Sequence, residues 1–161
     1  MARGGTPAIV ALDVAGVPYQ RHEFDADPTK HGFGQAAALA LGVELERVFK
    51  TLIATIDDHD HAVAVVPVSG QLSLKELAAA VGAKRAEMCP PETAERLTGY
   101  VVGGISPFGQ KRSMPVIIDE TCVLFDTIFV SGGRRGLDIE IAPDDLIAVL
   151  GAMTAPIGTD S

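Results

Sequence analysis

The chain has 161 residues, 47% hydrophobic and 21% charged, with a formal charge of −8. That length suits one domain of the ~100–200-residue kind, so residues 1–161 are expected to fold as a single domain without metal or disulfide staples. The acidic excess excludes a general nucleic-acid coat, which gains affinity by neutralising phosphates with Lys and Arg.

Arg3 precedes the apolar run Pro7–Leu12, but Asp13 breaks that run too early for a signal-peptide core. No stretch approaches the ~20 apolar residues of a membrane span, so a cytoplasmic protein with neither membrane nor DNA partner is expected. Thr6 as N-cap, Pro7 at the first helical position and Gly16 past the end frame a first helix. Val17–Phe24 reads as a strand, Asp25–Gly34 as a loop, and a second helix runs from near Gln35 to Gly42. Val48–Ile56 and Ala62–Val68 are β-rich runs joined by Asp57-Asp58-His59-Asp60-His61, a length suited to an antiparallel hairpin. The capping box Ser73-Leu74-Lys75-Glu76 starts a third helix that stops at Gly82, and a fourth spans Pro91–Gly99. Further strands are expected at Ala83–Met88, Tyr100–Val102, Pro115–Ile118, Val123–Val130 and Asp138–Ile141. A last helix, Pro143–Leu150, carries Asp144 and Asp145 where the helix dipole favours anions. Short connections between successive strands predict an α+β fold: a curved, barrel-like mixed or antiparallel sheet with helices around it.

Side chains alternate faces along a strand, so Lys50 shares a row with Val48, Leu52, Ala54 and Ile56. A lysine there either snorkels to water at the strand end or lines a cleft, aimed at a phosphate or a developing oxyanion. Gly103-Gly104-Ile105-Ser106-Pro107-Phe108-Gly109 follows the apolar Tyr100–Val102. Its two glycines suit a tight turn or a cradle of backbone N–H donors. The spacing of Gly104 and Gly109 imitates a phosphate-binding loop, but Gln110 replaces the needed Lys and no helix follows. Ser131-Gly132-Gly133 reads as a hairpin turn; placed beside the first loop, Ser131 and Asp138 would add a hydroxyl and a carboxylate to the same pocket.

Asp57 to His61 are consecutive and would splay in different directions, which suits a solvated hairpin tip rather than a metal site. His22 and His31 have no catalytic partner at recognisable spacing, and Cys89 and Cys122 fit neither a redox pair nor a zinc pattern. No cofactor or metal is expected. The basic pairs Lys84-Arg85, Lys111-Arg112 and Arg134-Arg135 read as solvated charges or as local RNA contacts.

Four blocks then carry a resemblance: Phe49-Lys50-Thr51-Leu52, Ser69-Gly70-Gln71-Leu72, Thr98 to Lys111, and Val130 to Asp138. Across about Thr6 to Leu150 the chain resembles the YbaK/EbsC-type Cys-tRNA(Pro) deacylases, free-standing relatives of the editing domain of bacterial prolyl-tRNA synthetases. The resemblance implies that Lys50 is the essential lysine and that Gly103 and Gly104 hold the reacting carbonyl. It further implies that Ile105, Ser106 and Pro107 line the aminoacyl pocket, with Phe24, Phe33, Thr51, Ser131, Gly132, Gly133 and Asp138 around the substrate. The substrate's own thiol would attack its ester, which suits a chain with no visible nucleophile. Mischarged tRNA, held by its 3′ CCA end, is the expected substrate, prolyl-tRNA synthetase a transient partner, and the protein a monomer. Rival expectations are a deacylase that uses water to remove another small amino acid such as alanine, and a non-catalytic module that binds the tRNA end or a synthetase.

Overall fold

The computed structural model describes residues 5–25 and 32–159, which places Arg3 and His31 outside the described residues. In chain order the elements are α1 (Pro7–Ala15), β1 (Gln20–Glu23), α2 (Phe33–Leu41), β2 (Phe49–Ile56), β3 (Asp60–Pro67), α3 (Leu74–Ala80), β4 (Ala86–Met88), α4 (Pro91–Thr98), β5 (Val116–Asp119), β6 (Ile128–Arg134), β7 (Leu137–Ile141), α5 (Pro143–Leu150) and β8 (Met153–Ala155). Local chemistry sets the helix ends. Thr6 Oγ1 accepts the Ile9 N–H at 3.2 Å and Gly16 closes α1 at φ 72°, while Ser73 Oγ accepts the Glu76 N–H at 3.2 Å to start α3.

The strands form two sheets, ordered β4-β2-β3-β5-β8 and β1-β7-β6. In the first, β2 and β3 are an antiparallel hairpin registered from Phe49 opposite Pro67 to Ile56 opposite Asp60. Its tip turns through Asp57 and Asp58 at φ 49° and 69°. Pairing of β3 with β5 and of β5 with β8 is parallel, so this sheet is mixed; the second is antiparallel throughout. The α+β expectation holds. The barrel does not close, because among the described residues the backbone pairing between the two sheets is limited to the bridge between Val48 and Phe129.

One face of each sheet shares a core: Phe49, Ile53, Val63 and Val65 from the first pack with Val130, Leu137, Ile139 and Ile141 from the second, capped by Ile9, Leu97 and Leu146 of the helices. The reverse face of the five-stranded sheet, with Ala54, Ala64, Val66 and Ile117, is covered by Leu77 of α3.

Several boundaries differ from those expected. Tyr100–Val102 is not a strand, because its amides serve the end of α4: Tyr100 N–H donates to Thr98 Oγ1 and Val102 N–H to Glu95 Oε2. Residues 120–124 form a 3-10 turn, begun by Asp119 accepting from Thr121, so β6 starts only at Ile128. Ser131-Gly132-Gly133 is not the hairpin turn either. It lies within β6, where the register shifts between Ser131 and Arg134, and the turn is made by Arg135-Gly136. The β8 strand was not anticipated, and α2 begins at Phe33, two residues early. Finally, β4 is short: the Lys84 and Arg85 amides donate to Asp57 Oδ1 at 3.0 Å each, and Pro90 caps α4 just beyond it.

Candidate active site

The site follows from how β2 is paired. The Val48 carbonyl accepts from Val68 and the Ile53 carbonyl accepts from Cys89 at 3.1 Å, so even-numbered peptide groups face β3 and odd-numbered ones face the opposite edge. On that edge β6 meets the start of β2 through Val48 and Phe129, and β4 pairs only with Ala54 to Ile56. Neither strand reaches Thr51. The break opens into a cavity of about 460 Å³ whose walls include Thr51, Lys50, Gly103 and Asp138. Thr51 Oγ1 is buried there without a hydrogen-bond partner among the described residues.

Lys50 is half-buried at this break, and its Nζ donates to the Gly70 carbonyl at 3.2 Å. No carboxylate pairs with it among the described ion pairs. Burial holds its pKa below the ordinary lysine value, since a desolvated ammonium is the disfavoured form. The cavity therefore contains a positive charge that the protein leaves uncompensated.

Across the cavity stands the turn at Gly103, whose φ of 89° suits glycine. A Cβ there would lie 2.8 Å from the Phe33 ring, so the ring rests directly on the backbone. Arg135 covers the other side of that ring, its guanidinium 4.8 Å from the centroid. Its Nε donates to the Val102 carbonyl at 2.9 Å. One arginine thus ties the glycine turn, the start of α2 and the β6–β7 turn together.

The third wall comes from β7. Leu137 and Ile139 point into the core, so Asp138 faces the other way, beside its register partner Ser131. Asp138 is only 7% exposed, and burial pushes its carboxyl up to about 7.

Lys50, Gly103, Ile105, Phe24, Phe33, Thr51, Ser131 and Asp138 all line this one cavity. The remaining residues singled out by the sequence stand behind its walls. Gly104 donates its N–H to the Val101 carbonyl at 2.9 Å, and a Cβ on it would fall 2.8 Å from Arg134 Cα, so it serves close backbone packing. Ser106 is fully buried and accepts the Phe108 N–H; Pro107 is buried beside it. Gly132 packs on Leu137, and Gly133 on Thr6 and Tyr100. From this loop Gly103 and Ile105 line the cavity, and neither N–H is taken by another hydrogen bond among the described residues.

Sequence reasoning missed the part of the wall made by Met88, Cys89, Pro91 and Ala94. No motif marks it; the break between β4 and α4 creates it. Cys89 is 7% exposed, and burial raises its thiol pKa, which keeps it protonated and a poor nucleophile. The tip residues Asp57 and Asp58 are engaged by the Lys84 and Arg85 amides and the Arg85 side chain. No cluster of three His, Cys, Asp or Glu suited to a metal occurs among the described residues.

A family model described as an aminoacyl-tRNA editing domain matches residues 28–149. Over 154 residues, covering 96% of this chain and 93% of the relative, the sequence is 37% identical to an Enterococcus faecalis protein named as a candidate Cys-tRNA(Pro)/Cys-tRNA(Cys) deacylase, EbsC. It is 24% identical over 119 residues, 71% of each chain, to the multifunctional Ser/Thr-tRNA deacylase ProXp-y of Escherichia coli (strain K12). In fold it matches a solved structure described as a candidate trans-editing enzyme for prolyl tRNA synthetase, with a TM-score of 0.85 at 24% identity over 99% of each chain.

Proposed function

The chain belongs to the aminoacyl-tRNA editing domain family, and from that premise we propose that it is a trans-editing deacylase that cleaves the ester of mischarged Cys-tRNA(Pro). The observation that carries this reading is Lys50: an ammonium with no anionic partner among the described residues, half-buried in the wall of the cavity that Gly103 also lines. A buried cation without an anion is costly unless a ligand supplies electron density. The 3′ end of an aminoacylated tRNA supplies it as the ester carbonyl, the ribose hydroxyl and the phosphate.

No side chain among the described residues of the cavity is poised to attack. Cys89 is held as a thiol, and Ser131 Oγ accepts the Gly133 N–H at 3.2 Å with no histidine bonded to it. The attacking atom is therefore assigned to the substrate. The cysteinyl sulfur closes on its own carbonyl carbon as its proton departs. The C–O ester bond then breaks, and the tRNA hydroxyl leaves with a proton. The product is a cyclic thiolactone, which water opens to free cysteine. The protein contributes placement and charge: Lys50 anchors the terminal adenosine, and the N–H groups of Gly103 and Ile105 receive the developing oxyanion. Holding reacting groups in near-attack geometry can lower a barrier by roughly 7–11 kcal/mol, enough to dispense with an enzyme nucleophile.

The whole chain is read as one such domain, a monomer acting in the cytoplasm with prolyl-tRNA synthetase as a transient partner. In support, the Enterococcus faecalis relative matches almost end to end, and no described helix is long and apolar enough to cross a membrane.

Lys50→Ala should abolish deacylation of Cys-tRNA(Pro) while its circular dichroism and melting curve stay like those of the wild type. Near-normal turnover by the folded variant would overturn the assignment. Mass spectrometry should detect the thiolactone, and a substrate analogue lacking the thiol should survive. Cleavage of that analogue at the same rate would point to attack by water, as the rival deacylase reading requires. Saturable binding with no ester loss would point to the non-catalytic module.

A further inference from the structure

Asp138 lies on the cavity face of β7, opposite His22 of β1 and Ser131 of β6 in the two registers. Its carboxyl has no hydrogen-bond or ion-pair partner among the described residues. The charged and titratable groups of the elements around it are otherwise engaged. Arg135 is bonded to the Val102 carbonyl and stacked on Phe33. His22 is bonded to Glu140 at 2.8 Å, and Glu140 also receives Thr127 and Arg47. Lys50 donates to Gly70. Neither Lys50 nor Asp138 registers the charge of the other; burial alone shifts each. The cavity thus presents a cation, Lys50, and a largely buried acid, Asp138, each without an ion-pair partner among the described residues.

A largely buried carboxyl that meets only the solvent of the cavity is held at a cost in desolvation, and a ligand that brings a donor relieves that cost. The ligand complementary to this cavity is electron-rich where it meets Lys50 and cationic where it meets Asp138. An α-aminoacyl ester has that polarity, with its ammonium two bonds from the acyl carbon. Building on the deacylase reading, we propose that Asp138 is a specificity-determining residue that binds the α-ammonium of the aminoacyl group and so restricts the enzyme to esters with a free amino group. N-blocked esters, including the peptidyl and formyl-aminoacyl classes, would be refused because they bring an amide where a cation is needed.

The test compares Cys-tRNA(Pro) with its N-acetyl derivative on wild type, Asp138→Asn and Lys50→Ala. Wild type should favour the free amine in kcat/KM by roughly 10- to 100-fold, the range lost with a charge-assisted hydrogen bond. Asp138→Asn should lose most of that preference yet still cleave the blocked ester. Lys50→Ala should lose rate on both esters. The wild-type preference should also grow as pH rises through about 7, where Asp138 ionises. Asp138→Asn should lack that step. Equal cleavage of both esters by wild type, or an undiminished preference in the folded Asn variant, overturns the proposal. If wild type cleaves neither ester, the deacylase reading fails separately. Calorimetry with the non-hydrolysable 3′-cysteinylamino-adenosine and its N-acetyl form then decides the ammonium site. A preference for the free amine that disappears in Asp138→Asn supports it; equal affinities refute it.

Discussion

Two side chains in the cavity could be mistaken for the source of reactivity, and their environments separate them. Lys50 donates to the Gly70 carbonyl and has no anionic partner among the described residues, whereas Cys89 is a buried thiol whose pKa is raised. Since only a thiolate attacks efficiently, Cys89→Ala should keep kcat within about threefold of wild type, a loss well below the 1.4 kcal/mol that a tenfold change represents. A loss comparable with that of Lys50→Ala would transfer the attack from substrate to enzyme. Lys50 was legible in the sequence because a lysine in an apolar row is an anomaly that period-two alternation exposes. Arg135 was not: its stacking on Phe33 joins residues 102 positions apart in the chain, and neither neighbourhood marks the other.

At the level of elements, capping chemistry was the most transferable signal. Thr6 and Ser73 start helices where their hydroxyls predict, because the unsatisfied first-turn amides need a nearby acceptor. Ser73→Ala should lower stability by about 1 kcal/mol, seen as a lower melting temperature with deacylation unchanged, since α3 lies behind the sheet and away from the cavity; a loss of activity would mean that the five-stranded sheet transmits strain to Lys50. Short apolar runs were less informative. Tyr100–Val102 resembles a strand by composition, yet its amides are taken by Thr98 and Glu95. Ser131-Gly132-Gly133 has turn composition but lies in a bulged strand, because Gly132 and Gly133 meet the Leu137 side chain and Tyr100 too closely for a Cβ. Such tertiary contacts leave no trace in local sequence.

For the whole molecule, charge and pH give two expectations. With a net charge of −8, the isolated protein should bind tRNA weakly and gain selectivity when a synthetase already holds the tRNA, by raising the local concentration. Competition among several Cys-tRNAs with and without prolyl-tRNA synthetase checks this; equal selectivity in both would remove the partner from the scheme. Asp138 makes stability depend on pH. Its folded pKa of about 7 lies above the ordinary value of 3.8, so between those values the native state holds a proton that the unfolded chain has released. Stability from this group is full below about pH 4 and declines as pH rises to about 7, by at most roughly 4 kcal/mol. Asp138→Asn should therefore melt above wild type at pH 8, and the gap should narrow towards pH 4; a gap that is constant with pH would show the carboxyl to be solvated. The hollow itself is secured differently. Pro90 and Pro91 follow β4 after Cys89 alone, and proline has no N–H with which to continue a ladder. Pairing carried on in the same register to residue 91 would have laid backbone alongside Thr51 and sealed the opening. Vacancy is thus encoded by where a strand is forbidden to continue rather than by any contact inside, which leaves descendants free to exchange wall residues and retune their choice of amino acid while the chamber persists.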